Sequence, residues 1–207
     1  MALALAEPAW GQLRVANELA KQGLTISPAG VRCVPTHRTN RGQLNAWEQA
    51  NITLAMDWLR DRRNQESGQG PGFLNELHRR MFSNTWRWAG SFRHTEKSIG
   101  VTPHQIPGAL LNLLADTNYW IEHGRYPVDE IASRFHHRLV SIHPFPNGNG
   151  RHARLAADIL LESLGARRFT WGSGDLNRDG NARSNYLDAL READQGSMME
   201  LLAFARS

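Results

Sequence analysis

"HPFPNGNGRHARL", residues 143–155, places a histidine, two glycines around an asparagine and two arginines three residues apart in one short run. Four readings compete: a dinucleotide loop, a metal site, a phosphate cradle or a plain turn. The flanks decide the local fold. Ile131, Phe135, Leu139 and Ile142 repeat at helical spacing before the run, and Leu155, Ile159, Leu160 and Leu164 do so after it. The run is therefore a helix-to-helix connection. "GNGRHA" satisfies G-x-G-x-x-A, but that pattern carries meaning between a strand and a helix. Here a helix precedes it, and Pro144 and Pro146 forbid a regular strand at the entry.

A metal reading has His136, His137, His143 and His152 to draw on. Zinc sites need ligands on one face, however, and no acid or cysteine joins the group. "DLNRDG" (175–180) begins like a calcium loop, but its ninth and twelfth positions are Arg183 and Tyr186, so it reads as an Asx-rich turn. The phosphate reading explains most. Gly148 and Gly150 lack Cβ and let backbone N–H groups converge on an anion. The helix that starts there points its unpaired N–H groups and positive dipole end at the same spot. Arg151, in the first turn, opposes the dipole unless an anion lies nearby. Arg154 follows one turn on, and His143 is the group suited to accept a proton near neutral pH. Taken singly, each residue fits a tight turn with solvated arginines; taken together they favour a phosphate site. One position is out of keeping. Asn147 stands where a magnesium-using nucleotide site is expected to carry a carboxylate.

Working outward, the remaining pattern is helical. Trp47, Ala50, Leu54 and Trp58 predict a helix from Asn45; "DRRNQESGQGPG" (61–72) ends it. Phe73, Leu77 and Met81 predict a second helix, and Ile106, Leu110, Leu113 and Trp120 a third. Between them "WAGSFRHTEKSIGVTP" (88–103) has glycines near both ends and no helical period, which predicts a β-hairpin. Gly165 is placed to close the helix after the run. "DLNRDGNA" (175–182) predicts a turn, and "RSNYLDALREAD" and "SMMELLAFA" two closing helices. Residues 1–42, with Pro8, Pro28 and Pro35, read as an extended arm with at most a short helix near 10–22. The expected fold class is mainly α, with one small hairpin.

A length of 207 residues suits one good-sized domain, and 41% hydrophobic with 21% charged residues is ordinary globular composition. Net charge is +4 without a block of like charges, so no nucleic-acid stripe is expected. The lone Cys33 excludes an internal disulfide framework. "MALALAEPAW" is short and lacks a basic leader, and no run approaches the ~18 apolar residues of a membrane span. A cytoplasmic protein with no membrane partner is the expectation.

"HPFPNGNGRHAR" resembles the signature of Fic-domain proteins, H-P-F-x-[D/E]-G-N-G-R-x-x-R, at every position except Asn147. "WRWAGSFRHTEKSIGV" looks like the Fic flap hairpin, and "FHHRLVSIHPFPNGNGRHARL" with the ending "LLAFARS" is similar to the mobile mystery protein B subgroup. The resemblance implies a Fic-type helical bundle over 43–207, with a flap at 90–102 and the motif at 143–154. It also implies a protein adenylyltransferase that moves AMP from ATP to a Ser, Thr or Tyr hydroxyl of a target protein. Carried over by position, His143 would deprotonate the hydroxyl and Phe145 would anchor the loop. Gly148, Asn149 and Gly150 would form the anion hole, Arg151 would hold an outer phosphate, and Arg154 would orient the γ-phosphate. Lys97, Ser98 and Ile99 would align the target by strand-like pairing. Where the family's acid carries Mg²⁺, Asn147 offers a neutral oxygen, so metal binding through the ATP phosphates would be weaker. The alternative is a nucleotide-binding regulatory or toxin–antitoxin partner, with an antitoxin-like protein bound to it and weak or different phosphate transfer, or removal of AMP.

Many Fic proteins carry an inhibitory helix, [S/T]-x-x-x-E-[G/N], whose glutamate pairs with the second motif arginine. No strict match is present. The nearest candidate is Glu48, in a helix expected at 45–60. Asn45 and Glu48 also resemble a capping box. Against the cap, Glu48 heads a helical row through Ile52, Ala55 and Leu59, an apolar face for an acid.

Overall fold

A computed structural model describes residues 41–62, 70–173, 176 and 180–207. Residues 1–40 of the expected arm and half of the 175–182 turn lie outside the described residues. The helices are α1 (Arg41–Arg62), α2 (Pro71–Phe82), α3 (Ile106–Glu122), α4 (Val128–Ile142), α5 (Asn149–Ser163), α6 (Asn181–Asp194) and α7 (Met199–Arg206). Short 3₁₀ turns precede α3, at Pro103–Gln105, and follow α5, at Trp171–Ser173. The mainly α expectation holds. The described residues fall into two compact units, α1 with residues 73–91, and residues 70–72 with 92–207.

In the first unit, α1 forms as expected but buries a different face. Leu54 is 58% exposed, Ala50 is exposed and Trp58 only partly covered. The buried row is Glu48, Asn51, Ile52, Ala55 and Leu59, a helical stripe with two polar members. Polar groups on that face are satisfied by the turn after α2. The Trp86 indole N–H donates to Glu48 Oε1 at 2.6 Å. Asn51 Nδ2 donates to Thr85 Oγ1 at 3.0 Å, and Asn84 Nδ2 donates to Asn51 Oδ1 at 2.9 Å. The capping-box reading of Asn45 and Glu48 therefore fails. The helix begins at Arg41, Asn45 lies inside it, and Glu48 is a buried acceptor. From α2, Leu74, Leu77, Met81 and Phe82 complete this core.

In the second unit, α4 packs against α3 and α5, and α6 against α7. Ile106, Leu110 and Leu113 of α3, Ile131, Phe135 and Leu139 of α4, and Ala153, Ala157, Leu160 and Leu161 of α5 are buried at helical spacing. Gly165 ends α5 as expected. It adopts φ +73°, its N–H donates to Glu162 O at 3.1 Å, and the Ala166 N–H donates to Leu161 O at 2.9 Å. Those two bonds make a Schellman closure.

The hairpin expected at 90–102 is corrected: its residues form no strand. Its two limbs bond to the motif loop instead of to each other. The Arg93 N–H donates to Pro144 O at 2.9 Å and the Val101 N–H to Ile142 O at 3.3 Å. With those two backbone donors turned outward, neither serves a ladder between the limbs.

Candidate active site

The motif loop starts where α4 stops. His143 is the C-terminal cap of α4, at φ 53° and ψ 57°, and its N–H donates to Leu139 O at 3.3 Å. A side chain in this left-handed region costs about 1–2 kcal/mol, so the surroundings must hold it. The loop then dives inward. Phe145 is fully buried, with Phe92 at 5.9 Å and an edge-on His152 at 5.0 Å between ring centroids. Asn149 clamps it: its Oδ1 accepts from the Phe145 N–H at 2.9 Å and its Nδ2 donates to Phe145 O at 2.8 Å. The side chain of Asn149 thus shapes the loop, and an anion can meet only its backbone N–H.

Gly148 caps α5 at φ 78° with no side-chain cap, and Gly148 O accepts the first helical bond from the His152 N–H at 2.9 Å. The N–H groups of Asn149, Gly150 and Arg151 cannot find acceptors within the helix. The Gly148 N–H donates to Asn147 Oδ1 at 2.7 Å. The oxygen expected to meet a metal therefore serves a neighbouring backbone donor.

Arg154 lies one turn into α5. Burial lowers its pKa below the ordinary arginine value, partly offset by Tyr186 of α6. The guanidinium sits 5.4 Å over the Tyr186 ring and hydrogen-bonds its hydroxyl. That hydroxyl also lies 3.0 Å from His136 Nε2, and burial first, then the Arg154 charge, bring His136 down to about 3, so its imidazole is neutral. A Cβ at Gly150 would stand 3.7 Å from Arg154 Nη1 and 3.9 Å from the Tyr186 hydroxyl. Arg154 therefore lies beside the helix opening, its hydrogen-bond partner an uncharged phenol.

His143 is held neutral. Burial is the main cause, the Arg93 cation the next, and Lys97 adds to them against the Val140 carbonyl; together they bring it down to about 4. Its Nδ1 is buried without a well-formed hydrogen bond, which leaves Nε2 as the ring nitrogen to receive a proton. Lys97, Ser98 and Ile99 are exposed on the 92–102 segment, Ile99 at 56%.

The histidines weighed as zinc ligands are engaged elsewhere. His136 packs on Trp171 at 4.5 Å, His137 Nε2 lies 2.7 Å from Asp194 Oδ1, and His152 packs on Phe145. Among the described residues no three His, Cys, Asp or Glu side chains are grouped to hold a metal. Sequence reasoning missed Arg93, Gly100 and Tyr186. Arg93 and Gly100 both meet Ile142 and His143, at least 42 residues on, and Tyr186 meets Arg154 and His136, at least 32 residues back, so no local spacing marks those contacts.

The fold and site together define a helical domain with a glycine-containing turn between α4 and α5. Residues 71–161 match the Fic/DOC family model. The protein adenylyltransferase Fic of Drosophila grimshawi is 31% identical over 134 residues, 62% of this chain and 26% of that protein. The chain thus spans about a quarter of the length of that relative. Among solved structures, the N-terminal Fic domain of a VirB-translocated Bep effector from Bartonella quintana aligns at TM-score 0.64 and 18% identity, covering 82% of this chain and 83% of that one. BepC of Bartonella tribocorum with bound AMPPNP aligns at TM-score 0.59 and 18% identity, covering 81% and 86%. Among the described residues, no helix is long and apolar enough to cross a membrane.

Proposed function

We propose that this site transfers AMP from ATP to a hydroxyl of a target protein. The observation that carries the reading is Arg154, a buried guanidinium bonded to a phenol beside an uncapped helix N-terminus. A buried cation hydrogen-bonded to a phenol, with Asp158 the one opposing charge and the smallest of the effects on it, is costly, and a phosphate would supply a stronger partner. The adenylyltransferase names of relatives and the nucleotide analogue in a structural neighbour support the same choice. The likeness to mobile mystery protein B supports a place in that subgroup, and a cytoplasmic location fits ATP as donor.

In the proposed step His143 Nε2 takes the proton of a Ser, Thr or Tyr hydroxyl. The hydroxyl oxygen bonds to the α-phosphorus, the bond from the α-phosphorus to the bridging oxygen breaks, and pyrophosphate leaves. The N–H groups of Asn149, Gly150 and Arg151, with the Arg151 and Arg154 side chains, stabilise the charge on the phosphates. Lys97, Ser98 and Ile99 are the proposed contacts to the target.

Mg²⁺ favours carboxylate oxygens. Asn147 is neutral and already accepts from Gly148, so these residues do not build a magnesium site by themselves. That contact favours a second reading, nucleotide binding with weak or different phosphate transfer, as in a regulatory or toxin–antitoxin pair. Asn147→Asp separates the two. For a transferase with a handicapped ligand, the magnesium concentration giving half-maximal AMP incorporation should fall about tenfold, the equivalent of ~1.4 kcal/mol left after desolvation of the new carboxylate. Weaker metal-free ATP binding with no gain in transfer supports the second reading, and superimposed magnesium curves remove position 147 from metal binding altogether.

Glu48 is the proposed inhibitory residue, and its bond to Trp86 makes the test specific. Glu48→Gly should raise AMP incorporation and also lower the melting temperature, since a buried indole N–H left unpaired costs about 1–3 kcal/mol. Glu48→Gln keeps an oxygen for Trp86, so it should keep most of the stability while still raising incorporation. If neither variant is more active than wild type, Glu48 is a structural acceptor and nothing more.

A further inference from the structure

Arg93 is 2% exposed, and its hydrogen-bond partners are main-chain carbonyls rather than a carboxylate. Its Nε donates to His143 O at 2.7 Å and its Nη1 to Thr95 O at 3.0 Å. Its Nη2 donates to Val101 O and reaches Ile142 O at 3.5 Å. One planar fork thus ties both limbs of the 92–102 segment to the last two carbonyls of the α4 terminus. Helix ends leave such carbonyls unsatisfied, and a guanidinium matches several at once where an ammonium cannot. The segment closes tightly around this fork. A Cβ at Gly100, which has φ +109°, would stand 2.6 Å from Arg93 Nη2 and 2.7 Å from His143 Cβ.

We propose that Arg93 is a positioning residue: its guanidinium cross-links residues 92–102 to the carbonyls of Ile142 and His143 and so holds the His143 imidazole in its left-handed pose at the mouth of the loop. The proposal rests on the reading of His143 as the base, and it extends that reading to a residue remote from the phosphates. Arg93 also acts on the imidazole as a charge. The charges acting on His143 are Arg93 and Lys97, both from the 92–102 segment, opposed by the Val140 carbonyl of α4.

Two variants separate geometry from charge. Arg93→Lys keeps a cation and loses the fork; Arg93→Met loses both. Misplacement of a reacting group by about 1 Å can cost ~10²-fold, so both variants should lose roughly that factor in kcat for AMP transfer while KM for ATP stays near wild type. Only Arg93→Met should move the acidic limb of the pH profile to higher pH, by about one unit, because the neighbouring cation is gone while burial remains. NMR titration of the His143 ring without nucleotide should show the same rise in Arg93→Met and little in Arg93→Lys. That measurement needs no turnover. If the wild type transfers no AMP, the proposed reaction fails, and the titration still tests Arg93. Wild-type kcat in both variants overturns the proposal. Equal loss of ATP binding and kcat, or failure of both variants to fold, also overturns it, since Arg93 would then support the fold rather than place the base.

Discussion

Alanine at position 143 should lower AMP transfer roughly 10²–10⁴-fold, the usual contribution of a general base, with ATP affinity unchanged. The two properties separate because the imidazole sits at the end of α4 while the proposed anion donors belong to α5. Single-turnover transfer beside equilibrium nucleotide binding makes the test, and an alanine variant that turns over like wild type sinks the proposed role. The pH dependence adds a sign. A base works in its deprotonated form, so the rate is lost as pH falls through its pKa. Burial first and Arg93 second bring His143 down to about 4. For the free enzyme, kcat/KM for ATP should therefore hold from neutrality to about pH 5 and decline below it. An unperturbed histidine would place that decline near 6.5.

Gly100→Ala should be the most damaging small substitution on the 92–102 segment. The backbone there is at φ +109°, and the new methyl would meet His143 Cβ at 2.7 Å, Arg93 Nη2 at 2.6 Å and Ile142 O at 3.1 Å. None of these can yield cheaply. Ile142 O is helix backbone, His143 is already in a left-handed conformation, and Arg93 is pinned by its carbonyls. Conformational strain and overpacking together suggest a loss of about 2–4 kcal/mol. At about 2–4 °C per kcal/mol for a chain of this size, the melting temperature should fall by roughly 5–15 °C. Transfer should fall with it, because the clash pushes the segment away from His143. A thermal melt with a transfer assay decides the matter, and a variant with wild-type melting and rate shows that the close approach is not required.

The amino-acid sequence determined by itself whatever depends on neighbours along the chain. Helical periodicity fixed α3, α4 and α5, and two prolines before a G-N-G run excluded a strand entering the loop. The Gly165 closure was legible because it needs one glycine at one offset from a helix end. His143, Arg151 and Arg154 were readable as a group because they lie within one loop and the turns of helix beside it. The tertiary structure decided the rest, since it depends on groups far apart in sequence. The apolar row of α1 pointed to Trp47, Ala50, Leu54 and Trp58, yet the helix buries the face of Glu48 and Asn51, whose polar groups are satisfied by Trp86 and Thr85. The 90–102 segment read as a hairpin because turn residues flank polar ones. Its backbone donors instead go to Pro144 and Ile142, and the Arg93 guanidinium supplies the cross-links that a strand ladder would have made. Tyr186 looked like a failed calcium ligand until α6 brought its hydroxyl to His136 and Arg154. A hydrogen bond between residues fifty positions apart leaves no period and no spacing in the chain, so only the packed helices reveal it.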